Sequence, residues 1–169
     1  MKVNKKRIAC IIIGALIGAV YTALTFTSAF FGLAYGNIQF RISEALTIMP
    51  VFTPVAIPGL IIGCILSNLT STLGPIDVIV GAAATCSYLF RKVTVKGFPF
   101  LSFLMPVLFN GVIVGAEIVL LTMPEEVAFS VFLINALEVA AGEAAVLAIL
   151  GVPLYYFIRK SMPVLEKFL

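Results

Sequence analysis

Residues 38–54 of this chain read IQFRISEALTIMPVFTP, and the arrangement of the whole protein depends on how this stretch is interpreted. Its first part places Gln39, Arg41 and Glu44 within six residues, although the sequence on either side is apolar. Two prolines follow, four residues apart. Charged side chains near lipid are costly unless they pair or face a cavity, so we expect this cluster to have a definite role.

The composition is that of an integral membrane protein. Of the 169 residues, 62% are apolar and 11% are charged, whereas soluble domains carry roughly a quarter charged residues. No long polar segment divides the chain, so residues 1–169 are interpreted as a single membrane domain. The basic residues near the start precede an apolar run that is long for a signal peptide and lacks a clear cleavage site, and they are interpreted as a cytoplasmic anchor.

The residue types that enzymes need most are scarce in this sequence. It contains no histidine, which is the commonest general base and metal ligand. Its three cysteines lie in apolar runs without the spacing of a metal site. A phosphate-binding loop of the form G-x-x-x-x-G-K-[ST] is also missing. We therefore predict no enzymatic activity, no metal site, no cofactor and no nucleic-acid partner.

The number of membrane spans depends on residues 43–69. A spanning helix needs roughly 20 apolar residues, and the other candidates are residues 8–26, 77–90, 98–122 and 127–158. If residues 43–69 formed one span, basic residues would lie on both sides of the membrane. If the two prolines turn this segment into a hairpin, ten of the eleven basic residues lie inside, as the positive-inside rule favours.

The hairpin is preferred because prolines break helices. We thus predict an all-α membrane protein with six transmembrane helices and both termini in the cytoplasm, and Arg41 is the basic residue left outside. The second span, about residues 41–51, is short, and residues 27–37 before it are interpreted as a loop folded over the protein. An interruption is expected in the last helix near Gly151, and Asn68 is assigned to a solvated outer loop.

Polar residues converge on the outer half of this predicted bundle. On the fifth span, Asn110 and Glu117 are seven residues apart, about 700° of rotation, and therefore share a face. On the sixth span, Asn135 and Glu138 share a face that Glu143 flanks. With the cluster of the opening stretch they predict an outward-facing pocket for a small solute. The predicted binding residues are Gln39, Arg41, Glu44, Asn110, Glu117, Asn135, Glu138 and Glu143.

Structural explanations for the same residues stay open. Arg41 and Glu44 can simply pair, since they are three residues apart, and Asn110 can join two helices by a hydrogen bond. A carboxylate of the fifth or sixth span can be tolerated as a partner of Arg41, and Glu143 can serve helix packing or coupling to a partner.

The mixed set of donors and acceptors fits a planar heterocycle, although an amino acid or a polyamine could also use it. A guanine-like edge offers N–H donors to a carboxylate and a carbonyl oxygen to an arginine or an amide. Aromatic residues that could stack on such a ring are nearby in sequence. They are Phe30, Phe31, Tyr35 and Phe40.

The first span repeats small residues every four positions. Gly14 and Gly18 form one pair, and Ala15, Ala19 and Ala23 form a neighbouring stripe. Small residues at this spacing let another helix approach closely. The stripes are interpreted either as packing against the chain's own helices or as a docking face for a separate membrane subunit.

Several segments resemble the QueT family, the queuosine-precursor substrate-binding subunits (S components) of energy-coupling-factor transporters, which are of ABC type. They are residues 39–46 (QFRISEAL), 56–60 (AIPGL), 110–117 (NGVIVGAE) and 142–143 (GE). The segment with arginine, serine and glutamate is the most specific of them.

The resemblance implies a six-helix subunit in the cell membrane that captures a 7-deazaguanine precursor or queuine from outside for ATP-driven uptake. It implies docking on a transmembrane coupling subunit that is bound to two cytoplasmic ATPases. Ala15, Ala19 and Ala23 match the small-residue docking motif of such systems. The alternative is a stand-alone membrane transporter or channel for another heterocycle or vitamin.

Overall fold

The computed structural model describes residues 5–35, 38–71, 76, 78, 101–122, 125 and 128–165. Within these ranges every regular element is helical: α1 (Lys5–Phe30), a 3-10 helix (Ile42–Ile48), α2 (Met49–Phe52), α3 (Ala56–Asn68), α4 (Leu101–Thr122), α5 (Phe129–Val146), a π-helical segment (Leu147–Gly151) and α6 (Val152–Leu165). Apart from residue 78, the predicted fourth span (77–90) and the basic loop after it lie outside the described residues.

Three stretches of the described helices are long and apolar enough to cross a membrane: Lys6–Phe30, Phe103–Leu121 and Phe129–Ser161. Shorter apolar helices cover Ile42–Phe52 and Ala56–Asn68. Large apolar side chains stand on the outer surface, such as Ile11 and Leu16 on α1, which are 71% and 63% exposed. Such a surface suits lipid rather than water, so the chain is an all-α membrane protein, as predicted.

The first helix pair, α1 and α3, crosses at glycines and runs in one direction. A Cβ on Gly18 would lie 2.7 Å from the carbonyl oxygen of Gly59, and one on Gly63 would lie 2.8 Å from that of Gly18. Gly14 meets Gly59 in the same way. The contacts therefore advance along both helices together, and the chain between these parallel helices has to return across the bundle.

The 3-10 helix makes this return. Tyr21 of α1 bonds to Glu44, whereas Ser28, two turns later, accepts a hydrogen bond from the N–H of Ile42 at 3.0 Å. Later residues of α1 thus meet earlier residues of the 3-10 helix, so the two run in opposite directions. A 3-10 helix advances about 2.0 Å per residue, against about 1.5 Å in an α-helix, which lets a short segment cover more depth.

The chain reverses again between α2 and α3, at residues 53–55. The N–H of Thr53 closes α2 on the carbonyl of Met49 at 3.0 Å, and Pro54 is exposed in the turn. Pro50 is instead buried at the start of α2, where a missing N–H leaves no hydrogen bond unmade. Only the second of the two prolines therefore lies in the predicted turn.

The second helix pair, α4 and α5, is antiparallel and also packs at small residues. Gly111 lies against Ala140, and Gly115 lies against Ala136. The 3-10 helix contacts α1 on one side and α4, α5 and the π-helical segment on the other. The stretch quoted first thus lies between the two helix pairs, with its charged residues inside the bundle.

The last long helix is not broken near Gly151. It passes from α5 through the π-helical segment Leu147–Gly151 directly into α6. Pro153 follows this segment, and a proline inside a helix removes a hydrogen bond and clashes with the carbonyl four residues earlier. The wider π turn accommodates it, so the predicted interruption takes the form of a local widening.

Candidate ligand-binding site

A small polar cavity lies where the 3-10 helix meets α3, α4 and α5. Its lining residues are Gln39, Arg41, Glu44, Cys64, Asn110, Val114, Val139 and Glu143. The cavity has a volume of about 10 Å³, close to the least that one water molecule needs. A planar ligand therefore enters only if the lining side chains, or the loop between α1 and the 3-10 helix, move apart.

Some of the sequence-predicted binding residues meet in this cavity and some do not. Those that line it are Gln39, Arg41, Glu44, Asn110 and Glu143, whereas Glu117, Asn135 and Glu138 do not. Glu117 is seven residues beyond Asn110, or roughly 10 Å along the helix, and Asn135 is displaced by a similar distance from Glu143. Glu117 and Asn135 are nevertheless buried, at 4% and 3% exposure.

Arg41 is held from three directions. Its Nε donates to the carbonyl of Ala34 at 2.9 Å, and its Nη1 donates to Oδ1 of Asn68 at 3.3 Å. Its guanidinium carbon lies 5.1 Å from the centre of the Tyr35 ring, within the range of a cation–π contact. The side chain is 7% exposed. Arg41 is thus a buried cation fixed between the loop after α1 and the end of α3.

Glu44 is held by a residue from the first helix. The hydroxyl of Tyr21, in the buried part of α1, donates a hydrogen bond to its carboxylate. Arg41 stabilises the same carboxylate electrostatically. Both Tyr21 and Glu44 are buried, so this acceptor faces the cavity in a defined position.

Glu143 presents a carboxylate oxygen that has no hydrogen-bond partner among the described residues, namely Oε1. The side chain is 5% exposed, and Asn110 lines the same cavity close to its carboxyl group. Glu44 and Arg41 both lie within electrostatic reach of it. A buried polar atom without a partner is costly, and a donor on a ligand would relieve that cost.

The assignment of Asn68 to a solvated loop is wrong. The residue ends α3 and is fully buried. Its side-chain oxygen accepts the hydrogen bond from Arg41, and its Nδ2 lies 3.6 Å from Sγ of Cys64. The sequence does indicate that Asn68 belongs to the helix, because Cys64 and Asn68 are four residues apart and share a helix face.

The aromatic residues at the end of α1 and in the loop after it differ in whether they lie near the cavity. Phe30 and Phe31 are 85% and 66% exposed and contact each other edge to face. Tyr35 lies over Arg41, and its hydroxyl donates to the carbonyl of Ser67 at 2.7 Å. Tyr35 therefore ties the loop after α1 to the end of α3, above the cavity.

The sequence profile described as QueT transporter matches residues 11–160 of this chain. The chain belongs to the QueT transporter family. The resemblance seen in the sequence is thereby confirmed, and the family is one of transporters rather than enzymes.

One relative in the QueT family carries a more specific name. The Queuosine precursor transporter QueT of Lactococcus lactis subsp. cremoris (strain MG1363) is 40% identical over 75 residues. The aligned part covers 44% of this chain and 44% of that protein. No solved structure matches this chain.

Replacing Tyr21 by phenylalanine should weaken this site without disturbing the helices. The ring still packs between α1 and α3, but the Glu44 carboxylate loses its donor. Removing one partner of a buried hydrogen bond costs about 1–3 kcal/mol. We expect a lower unfolding temperature in detergent, measured against Tyr156→Phe, a matched change at an exposed tyrosine. Equal unfolding temperatures for the two variants would contradict this role of Tyr21.

Proposed function

We propose that this chain is the S component of an energy-coupling-factor transporter. In this function it captures a queuosine precursor of the 7-deazaguanine type, or queuine, from outside the cell. The observation that carries the proposal is the buried cavity lined by Arg41, Glu44 and Glu143, in a chain of the QueT transporter family. The name of the Lactococcus relative supports the same class of solute.

The lining groups suit both edges of a deazaguanine. The unpartnered oxygen of Glu143 can accept from the ring N–H and the exocyclic amine, which lie side by side. The amides of Gln39 and Asn110 can donate to the ring carbonyl and accept from the pyrrole N–H. Arg41, held by Ala34 and Asn68, keeps the acidic groups in place. Glu117, Asn135 and Glu138, which do not line the cavity, remain proposed binding residues.

The proposed topology has six spans, with both termini in the cytoplasm and the protein in the plasma membrane. The parallel pair α1 and α3 and the oppositely directed 3-10 helix between them support three crossings in the first part of the chain. The antiparallel pair α4 and α5 supports two more. Residues 77–90, mostly outside the described residues, are the proposed fourth span.

The surface of α1 supports a partner in the membrane. Gly14 and Gly18 are buried against α3, whereas Ala15, Ala19 and Ala23 are exposed. The alanine stripe is therefore the proposed docking face for a transmembrane coupling subunit. This chain has no phosphate-binding loop, so in this proposal two cytoplasmic ATPases bound to that subunit hydrolyse ATP.

Reconstitution with defined partners tests the proposal. The purified chain alone should bind a 7-deazaguanine but not transport it into proteoliposomes. Addition of the coupling subunit and the ATPases should give uptake that requires ATP. ATP-independent uptake by the chain alone would instead support a stand-alone transporter, and absence of any 7-deazaguanine binding would reject the proposed solute.

A further inference from the structure

An apolar groove lies on the outside of the bundle, between α4 and the last long helix. Its volume is about 460 Å³. Where α4 and α5 meet at Gly111 and Gly115 they are packed closely, but nearer the π-helical segment the last helix presents small alanine side chains and the space between the helices stays open. The side chains that line the groove include Phe103, Leu104, Val107, Ala144, Ala148 and Val152. Leu104, Ala144 and Ala148 are exposed, so the groove opens toward the surrounding lipid.

Aromatic and basic residues continue the line of the groove along α6. The ring of Tyr155 lies 6.0 Å from the ring of Phe103, centre to centre, at one end of the groove. Arg159 is seven residues beyond Val152, about 700° of rotation, so it lies on the same helix face and roughly 10 Å further along the axis. Arg159 and Lys160 are both exposed. An apolar channel, an aromatic ring and then two cations follow the same order as the acyl chain, interface and anionic headgroup of a phospholipid.

We infer that the groove binds one acyl chain of an anionic phospholipid, whose phosphate lies against Arg159 and Lys160. The site is on the outside of the bundle, so the inference does not depend on the proposed solute. A zwitterionic lipid fits the same groove, but a lipid of net negative charge is attracted more strongly by the two cations. If Arg159 and Lys160 only anchored the helix end at the membrane surface, filling the groove would have no effect on lipid binding.

Two lipids with identical acyl chains test the preference without any change in the protein. Dioleoylphosphatidylglycerol is the anionic probe, and dioleoylphosphatidylcholine is the zwitterionic control. Native mass spectrometry of the purified chain, titrated with each lipid in mild detergent, should show roughly tenfold or more tighter binding of the anionic probe, as expected for two cations near the headgroup. Equal binding of the two lipids, or no retained lipid at all, would overturn the inference.

Variants separate the groove from the cations. Ala148→Phe fills the groove and keeps both cations, so it should weaken binding of the anionic probe about tenfold. Ala128→Phe, the same change at an exposed alanine just before α5, should bind as the unmodified chain does. Normal binding of the anionic probe by Ala148→Phe would show that the groove holds no acyl chain and would overturn the inference.

The charge arm uses Arg159→Gln combined with Lys160→Gln. This double variant should bind the anionic probe only as tightly as the zwitterionic one, whereas Arg7→Gln, at an exposed arginine on α1, should keep the preference. In detergent without added lipid all of these variants should unfold at the same temperature as the unmodified chain, because the changed side chains are exposed. An undiminished preference in the double variant would reject the two cations as the headgroup site.

Discussion

Replacing Arg41 by alanine is expected to lower the affinity for a 7-deazaguanine at least about a hundredfold and to destabilise the protein. The change removes the buried cation that faces Glu44 and Glu143. Leaving a buried charge uncompensated typically costs about 3–5 kcal/mol, and the cavity would keep two carboxylates without this cation. About 1.4 kcal/mol corresponds to a tenfold change in affinity. Calorimetric titration and thermal unfolding in detergent measure the two effects.

Two further variants separate the charge of Arg41 from its geometry. Arg41→Lys keeps the positive charge but lacks the planar fork that reaches Ala34 and Asn68 together, so an intermediate loss is expected. Arg159→Ala removes an exposed arginine on α6 and should leave binding and unfolding unchanged. Normal binding by Arg41→Ala would show that the ligand site is elsewhere.

The long apolar helices of the described residues were largely predictable, because hydrophobic length decides where they lie. The end of α1 was not, because polar residues after Phe26 suggested a loop. Thr25, Thr27 and Ser28 instead donate to the carbonyls four residues before them, at 2.9–3.1 Å. Hydroxyl groups that bond to their own helix in this way are satisfied without leaving it, so they are compatible with a helix interior even though they do not favour one. The helix ends near Gly32, which has a positive φ of 72° that suits glycine.

The site was predictable where residues are close in sequence or share a helix face. Gln39, Arg41 and Glu44 are neighbours, and Asn110 follows from the pattern of its helix. Periodicity gives the face of a helix but not the depth at which a cavity ends, so it could not separate Asn110 from Glu117. The structure makes that distinction, because Asn110 lines the cavity and Glu117 does not.

Contacts between distant elements were the hardest to predict. Tyr21 reaches Glu44 across 23 residues, and Asn68 reaches Arg41 across 27. Each polar group lies in an apolar or loop-like context that suggests no partner. The pairing follows only from the parallel packing of α1 and α3 around the returning 3-10 helix. Glycines at their crossing make that packing possible.

Gly18 and Ala19 are adjacent in α1, yet replacing each by leucine should have a different effect. Gly18→Leu is expected to abolish the folded protein, because a Cβ at this position would lie 2.7 Å from the carbonyl oxygen of Gly59. That oxygen belongs to a helix backbone and cannot move aside alone, so α1 and α3 would have to separate. Size-exclusion chromatography in detergent should show loss of the monodisperse peak.

Ala19→Leu places the same side chain on the exposed neighbouring stripe. The variant should remain monodisperse and bind ligand normally, yet lose ATP-dependent uptake with the reconstituted partners, because the bulkier side chain holds the coupling subunit away. Val20→Leu, an exposed position beside the stripe, is the control and should transport normally. Full uptake by Ala19→Leu and by the equivalent Ala15→Leu would show that the partner docks elsewhere. Loss of folding by Ala19→Leu would assign the alanine stripe to internal packing, since only a buried face is sensitive to volume before any partner is present.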